Sequence, residues 1–153
     1  METIRDQDFT TTISVDQSPR EAFDAINDVR SWWTGDPGVE GNTRKLGDEF
    51  TYRYQDLHYS KQKIVEFVPE KRITWLVTDC RLSFVKNQHE WTDTKITFDI
   101  SRQGNKTQIR FTHLGLVPKV QCFDDCSGAW ESYVTDSLRK FIANRKRSSS
   151  KRE

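Results

Sequence analysis

The stretch from Phe123 to Ile142 limits the fold more than any other. Phe123, Cys126, Trp130, Tyr133, Val134, Leu138, Phe141 and Ile142 recur at spacings of three, four and seven, the pattern of a helix with one apolar stripe. Asp124, Asp125, Glu131, Ser132, Thr135, Asp136, Arg139 and Lys140 fall on the other face. Such a helix is roughly 20 residues, or about 30 Å, long. Its stripe needs a partner of similar length, and a whole β-sheet is the natural one.

The preceding residues supply that sheet. Phe9, Ile13 and Val15 alternate with Thr10, Thr12 and Ser14, as in a strand with one buried face. In DQSPREAFDAINDV, Ser18 suits an N-cap, Pro19 the first helical position and Glu21 the answering capping-box residue. Arg30-Ser31-Trp32-Trp33 continues as a second short helix, and TGDPGVEGN is expected to break regular structure. From Asp48 onward only strand patterns appear: Phe50, Tyr52 and Tyr54; Ser60 to Val68; Ile73, Trp75 and Val77; Ile96, Phe98 and Ile100; Ile109, Phe111 and His113. CRLSFVKNQHEWTD reads as irregular, and Gln103-Gly104-Asn105 as a hairpin turn. Consecutive hairpins predict a mostly antiparallel sheet. The class is α+β, one domain over residues 1–145.

Composition narrows the setting. Hydrophobic residues make up 34% of the 153 and aromatics 12%, so the core is short of aliphatic bulk and rich in rings. Net charge is +1, but seven of the basic residues lie from Arg139 onward against Glu153 alone. The first 138 residues therefore carry 17 basic and 22 acidic side chains, a net of −5. That body offers nucleic acid nothing, and the basic tail, residues 146–153, is expected to be a disordered, solubilising end. No apolar run is long enough to span a membrane, and METIRDQDF lacks the apolar centre of a signal peptide. Cys80, Cys122 and Cys126 have no framework spacing and read as free thiols, which points to the cytoplasm.

Chemistry-bearing residues are few. Cys122 and Cys126 lie one helical turn apart, but structural zinc usually needs a second such pair. No metal or other cofactor is expected. Asp124 and Asp125 fit the first helical turn, where their charge favours the helix dipole. His113 shares parity with Ile109 and Phe111 and should face inward, either as a core histidine or as a polar contact to a ligand. Trp32 and Trp33 follow the first helix, Phe50, Tyr52, Trp75, Phe98 and Phe111 should line the concave face of the sheet, and Trp130 and Tyr133 should look down on them from the long helix. The residues alone leave two readings open: rings that fill a core, or rings that line a pocket in which Tyr52, His113 and Tyr133 are the polar groups.

The order of these pieces resembles a family. TISVDQSPREAFDAINDVRSWW looks like the opening of the START-like, or SRPBCC, superfamily. VEFVPEKRITW, EWTDTKITFDIS and TQIRFTHLGLVP are similar to its branch of homologues of the activator of the heat-shock protein 90 ATPase. The resemblance spans roughly residues 8–143. It implies a helix-grip fold, in which a curved antiparallel sheet wraps the C-terminal helix around a cavity. It also implies a small apolar partner, such as a lipid, a polyketide or an aromatic compound, held without catalysis. Two other functions occur on this fold: a cyclase or hydrolase, here using His113 with Tyr52 or Tyr133, and a chaperone-type interaction module with a protein partner. Fold alone does not choose among them.

Overall fold

The computed structural model describes residues 7–144; the basic tail lies outside them. β1 (Phe9–Val15) leads into α1 (Pro19–Asn27) and the single turn α2 (Val29–Trp32). The capping box forms as expected: the Ser18 hydroxyl accepts from the Glu21 N–H at 3.1 Å, and the Glu21 carboxylate accepts from the Ser18 N–H at 2.9 Å. Such a cap is worth about 1 kcal/mol. Six further strands follow: β2 (Pro37–Gly41), β3 (Glu49–Tyr54), β4 (His58–Val68), β5 (Arg72–Leu82), β6 (Lys95–Gln103) and β7 (Lys106–Leu114). They form one antiparallel sheet in the order β1-β7-β6-β5-β4-β3-β2. Bulges in β4 against β5, at Lys61/Gln62 and Ile64/Glu66, help to curve it.

Two elements differ from the sequence reading. The segment expected to be irregular, TGDPGVEGN, contains β2, with Val39 opposite Tyr52. Its Pro37, and Gly38 and Gly41 at φ +90° and +115°, argue against a strand in general. They are tolerated because β2 is the sheet edge and pairs on one side only. The irregular stretch also starts later than expected, because β5 carries Cys80 and Leu82 in register with Ser60 and His58.

The C-terminal helix runs from Phe123 to Asn144, 22 residues. It is regular over Phe123–Ser132 (α3), widens to a π-turn over Tyr133–Leu138, and then returns to α geometry. The buried positions explain the widening. Cys126, Trp130, Val134, Leu138 and Ile142 are all buried and recur every four residues. On a straight α-helix that repeat drifts by about 40° per step, or about 160° from first to last. A π-turn inserts about one residue into the ladder and takes back about 100° of the drift. The whole stripe can then face the sheet. Deleting Thr135 should therefore close the π-turn and leave Leu138 and Ile142 facing the sheet on a regular α-helix, whereas inserting an alanine after Thr135 should turn both away by about a further 100°. The insertion is expected to cost about 2–5 kcal/mol in urea unfolding, the scale of emptying a buried leucine site, and clearly more than the deletion. Equal losses from the two changes would contradict the role given to the π-turn.

Candidate functional site

The concave face of the sheet is filled at its centre and open at one end. Trp75 of β5 is the middle of the filled part. It stacks on Trp32 at 6.3 Å and meets Phe50 at 5.0 Å and Phe98 at 5.1 Å edge-on. Phe98 continues to Phe111 at 5.3 Å. These rings are fully or almost fully buried, in the offset and edge-to-face geometries that aromatic pairs prefer. Five of the residues expected to line a pocket, Trp32, Phe50, Trp75, Phe98 and Phe111, are thus placed in packed core.

Near the β3–β4 turn lies a cavity of about 580 Å³. Trp33, Tyr52, Trp130 and Tyr133 line it, together with Tyr54, Leu57, His58, Phe84, Trp91, Asp125, Cys126, Ala129 and Ser132. Tyr54, Leu57 and Phe84 are 40–46% exposed and form an apolar mouth. Behind them the walls are flat. Trp33 stacks on Tyr52 at 4.0 Å with planes 3° apart, and Trp91 stacks on Trp130 at 5.8 Å and 15°. His58 stands edge-on to Trp91 at 4.7 Å and to Tyr52 at 5.1 Å.

The polar groups of the cavity are few and held. The Tyr52 and Tyr133 hydroxyls both donate to the Thr34 carbonyl, at 2.8 and 2.6 Å, and stand 3.0 Å apart. Burial and the neighbouring Tyr133 hydroxyl push the Tyr52 phenol well above its ordinary pKa, so the Tyr52 ring stays neutral. His58 Nε2 pairs with the Ser60 hydroxyl at 3.0 Å, and burial lowers its pKa to about 3. The roof is a loop clamped to the helix. The Glu90 carboxylate accepts from the backbone N–H groups of Gln121 and Cys122, at 2.8 and 3.2 Å, and Gln121 Oε1 accepts from the Asn87 N–H at 2.8 Å. An acid from a distant loop thus caps the start of the helix, where negative charge is favoured. Asp124 and Asp125 do fall in the first turn, but α3 has no side-chain cap of its own.

His113 faces inward but does not line the cavity; Trp130 stands between. The Trp130 indole can only donate, and it reaches His113 Nδ1 at 3.1 Å. Nδ1 is therefore the acceptor and Nε2 carries the proton, which it gives to Thr94 Oγ1 at 2.8 Å. The Thr94 hydroxyl in turn donates to the Trp91 carbonyl at 2.6 Å. With both nitrogens engaged and no exposure, burial first and the nearby His58 second lower its pKa to about 3. The sequence reading also passed over His58 and Trp91. Parity does place His58 on the face of Ser60 and Gln62, and that was the available signal. Nothing in the irregular stretch marked Trp91.

Both histidines are neutral when folded and protonate near 6.5 when unfolded. The unfolded chain therefore binds the extra protons, and stability falls as pH drops through the window from about 6.5 to about 3. Between pH 7 and pH 5, each histidine should cost about 2 kcal/mol. His58→Gln removes one of them, so wild type should lose about 2 kcal/mol more than the variant over that interval. Urea unfolding at the two pH values measures this, and equal losses would show that His58 is not held neutral.

Residues 16–143 match the family model described as Activator of Hsp90 ATPase homolog 1-like protein. None of the curated proteins matches the sequence. Among solved structures, the Aha1 dimer from Colwellia psychrerythraea superposes with a TM-score of 0.70 at 21% identity, covering 89% of this chain and 96% of that one. CalU16 from Micromonospora echinospora gives 0.61 at 19%, covering 94% and 80%. DynU16, a protein of the dynemicin biosynthetic locus, gives 0.63 at 13%, covering 90% of this chain and 48% of that one. At these identities the likeness is one of fold. No helix among the described residues is long and apolar enough to cross a membrane, and no cluster of three or more His, Cys, Asp or Glu among them could hold a metal. The family model spans most of the chain, and the sheet and gripping helix are those of its structural relatives: this chain belongs to the Activator of Hsp90 ATPase homolog 1-like family.

Proposed function

We propose that the protein binds a flat, largely apolar aromatic molecule, without catalysis, in the cavity between α3, the β3–β4 turn and the loop bearing Trp91. The observation that carries this reading is the pair of ring walls, Trp33 on Tyr52 and Trp91 on Trp130, around about 580 Å³ of space. Small-molecule sites are commonly apolar cavities of this size with a few fixed polar groups. Here those groups are the two tyrosine hydroxyls and His58. Each hydroxyl donates to Thr34 and keeps lone pairs free to accept from a ligand. The likeness to DynU16, from a biosynthetic locus, fits a small-molecule ligand. An enzyme working through His113 has less support, because both His113 nitrogens are engaged behind Trp130. The cavity behind the apolar mouth also speaks for a small ligand before a protein partner. We place this binding in the cytoplasm, in keeping with three free cysteines.

The test is titration with 1-anilinonaphthalene-8-sulfonate, read by ligand fluorescence and by quenching of the tryptophans. Saturable binding is expected at one molecule per chain. Ala129→Phe adds a ring at the cavity wall and should weaken binding by about tenfold or more, about 1.4 kcal/mol. Unsaturable binding, or binding unaltered by Ala129→Phe, would count against the cavity.

A further inference from the structure

The concave face of β4 carries a line of polar side chains between the ring-filled core and the cavity. Gln62 lies opposite Phe50 and Val77, and Ser60 opposite Tyr52 and Cys80, in the two neighbouring strands. Both are fully buried. His58, at the start of the strand, is half-buried and lines the cavity. The three are joined in series: Gln62 Nε2 donates to Ser60 Oγ, and Ser60 Oγ meets His58 Nε2 at 3.0 Å. An apolar slot needs none of this, and a buried polar group is costly unless it is paired.

The line fixes where the His58 proton sits. Ser60 Oγ already accepts from Gln62. Its own proton, wholly buried, needs an acceptor, and the other polar neighbour of Ser60 Oγ is His58 Nε2. Nε2 is then the acceptor, and the single proton of the neutral ring lies on Nδ1. Among the described residues Nδ1 has no hydrogen-bond partner. Nor is it shut in: the wholly buried side-chain atoms without a partner are Gln62 Oε1 and the indole nitrogens of Trp75 and Trp91. The free N–H therefore opens on the cavity. His113 is the reverse case, with its proton on Nε2 and both nitrogens engaged. The Tyr52 and Tyr133 protons are committed to the Thr34 carbonyl, so beside His58 the two hydroxyls can only accept.

We propose that His58 Nδ1–H, held in that tautomer by the positioning residues Ser60 and Gln62, is the donor that sets specificity, and that the ligand is an aromatic carbonyl compound whose oxygen accepts from it. This rests on the cavity-binding reading above. A carbonyl oxygen accepts near the plane of its own substituents. A flat aryl ketone therefore presents that oxygen at its edge and leaves its faces to the ring walls.

A long-range nitrogen–proton spectrum of the wild-type protein at neutral pH reads the His58 ring directly. A protonated Nδ1 and a bare Nε2 are expected, and the opposite tautomer would overturn the proposal. In Gln62→Leu, Ser60 Oγ is free to accept, so the Nε2–H form should appear; an unchanged ring would remove the part given to Gln62. The ligand class is tested with 2-acetylnaphthalene against 2-isopropenylnaphthalene, which has the same shape but a methylene in place of the oxygen, by displacement of bound 1-anilinonaphthalene-8-sulfonate. His58→Phe should lower the ratio of the two affinities, acetyl over isopropenyl, by about three- to tenfold, the range of one neutral hydrogen bond. An unaltered ratio would overturn the donor role. The tautomer is read on wild type, so that result does not depend on any variant folding. If the sulfonate binds and weakens with Ala129→Phe while either His58 result fails, the donor is wrong and the binding role stands. If no naphthalene compound binds, both fail.

Discussion

The hydrogen bond from the Trp130 indole to His113 Nδ1 holds the two halves of the molecule in one arrangement. It ties the middle of the C-terminal helix to β7, and through His113 Nε2 and Thr94 to the backbone of Trp91. Helix, sheet and roof loop are therefore joined by one short polar chain inside an aromatic core. A buried chain of this kind is stable only if every member is satisfied. That fixes the histidine as neutral and fixes its tautomer. It also fixes the plane of Trp130, whose ring packs on Phe111 at 4.6 Å and borders the cavity.

The position of the cavity follows from where the rings run out. Trp32, Phe50, Trp75, Phe98 and Phe111 fill the space over the central strands. Beyond them Tyr52 and Trp33 stack flat, and Trp91 comes in from a loop. The π-turn contributes from the helix side: Tyr133 opens it with a bond to the Thr34 carbonyl, and Ser137 within it donates to the Trp32 carbonyl at 2.7 Å. These bonds hold the segment carrying Trp33 against the helix. Glu90 closes the opposite side by capping the helix from the roof loop.

Much of the fold was legible because its signals are local. Alternating residues marked β1 and β3 to β7, and Ser18, Pro19 and Glu21 marked the start of α1. β2 was not legible, since Pro37, Gly38 and Gly41 are strand-breakers that only an edge position tolerates. The helix was legible as a stripe, but the π-turn was hidden in the four-residue spacing of its buried members. The site was legible in part. Parity showed that Tyr52 and His113 face inward, yet it cannot say which inward rings fill and which line. That depends on packing across strands: Trp75 is fully buried among the rings of Trp32, Trp33, Phe50 and Phe98, whereas Trp33 and Tyr52 border the cavity. Trp91 and His58 were hidden for a similar reason, because the contacts that make them a wall come from loop placement.

Side-chain indole N–H resonances test the account most directly. The account predicts that adding a naphthalene-type ligand shifts the Trp33, Trp91 and Trp130 signals in a two-dimensional nitrogen–proton spectrum, while those of Trp32 and Trp75 stay in place. Shifts confined to Trp32 and Trp75, or no shift at saturating ligand, would contradict a binding cavity between the helix and the β3–β4 end of the sheet.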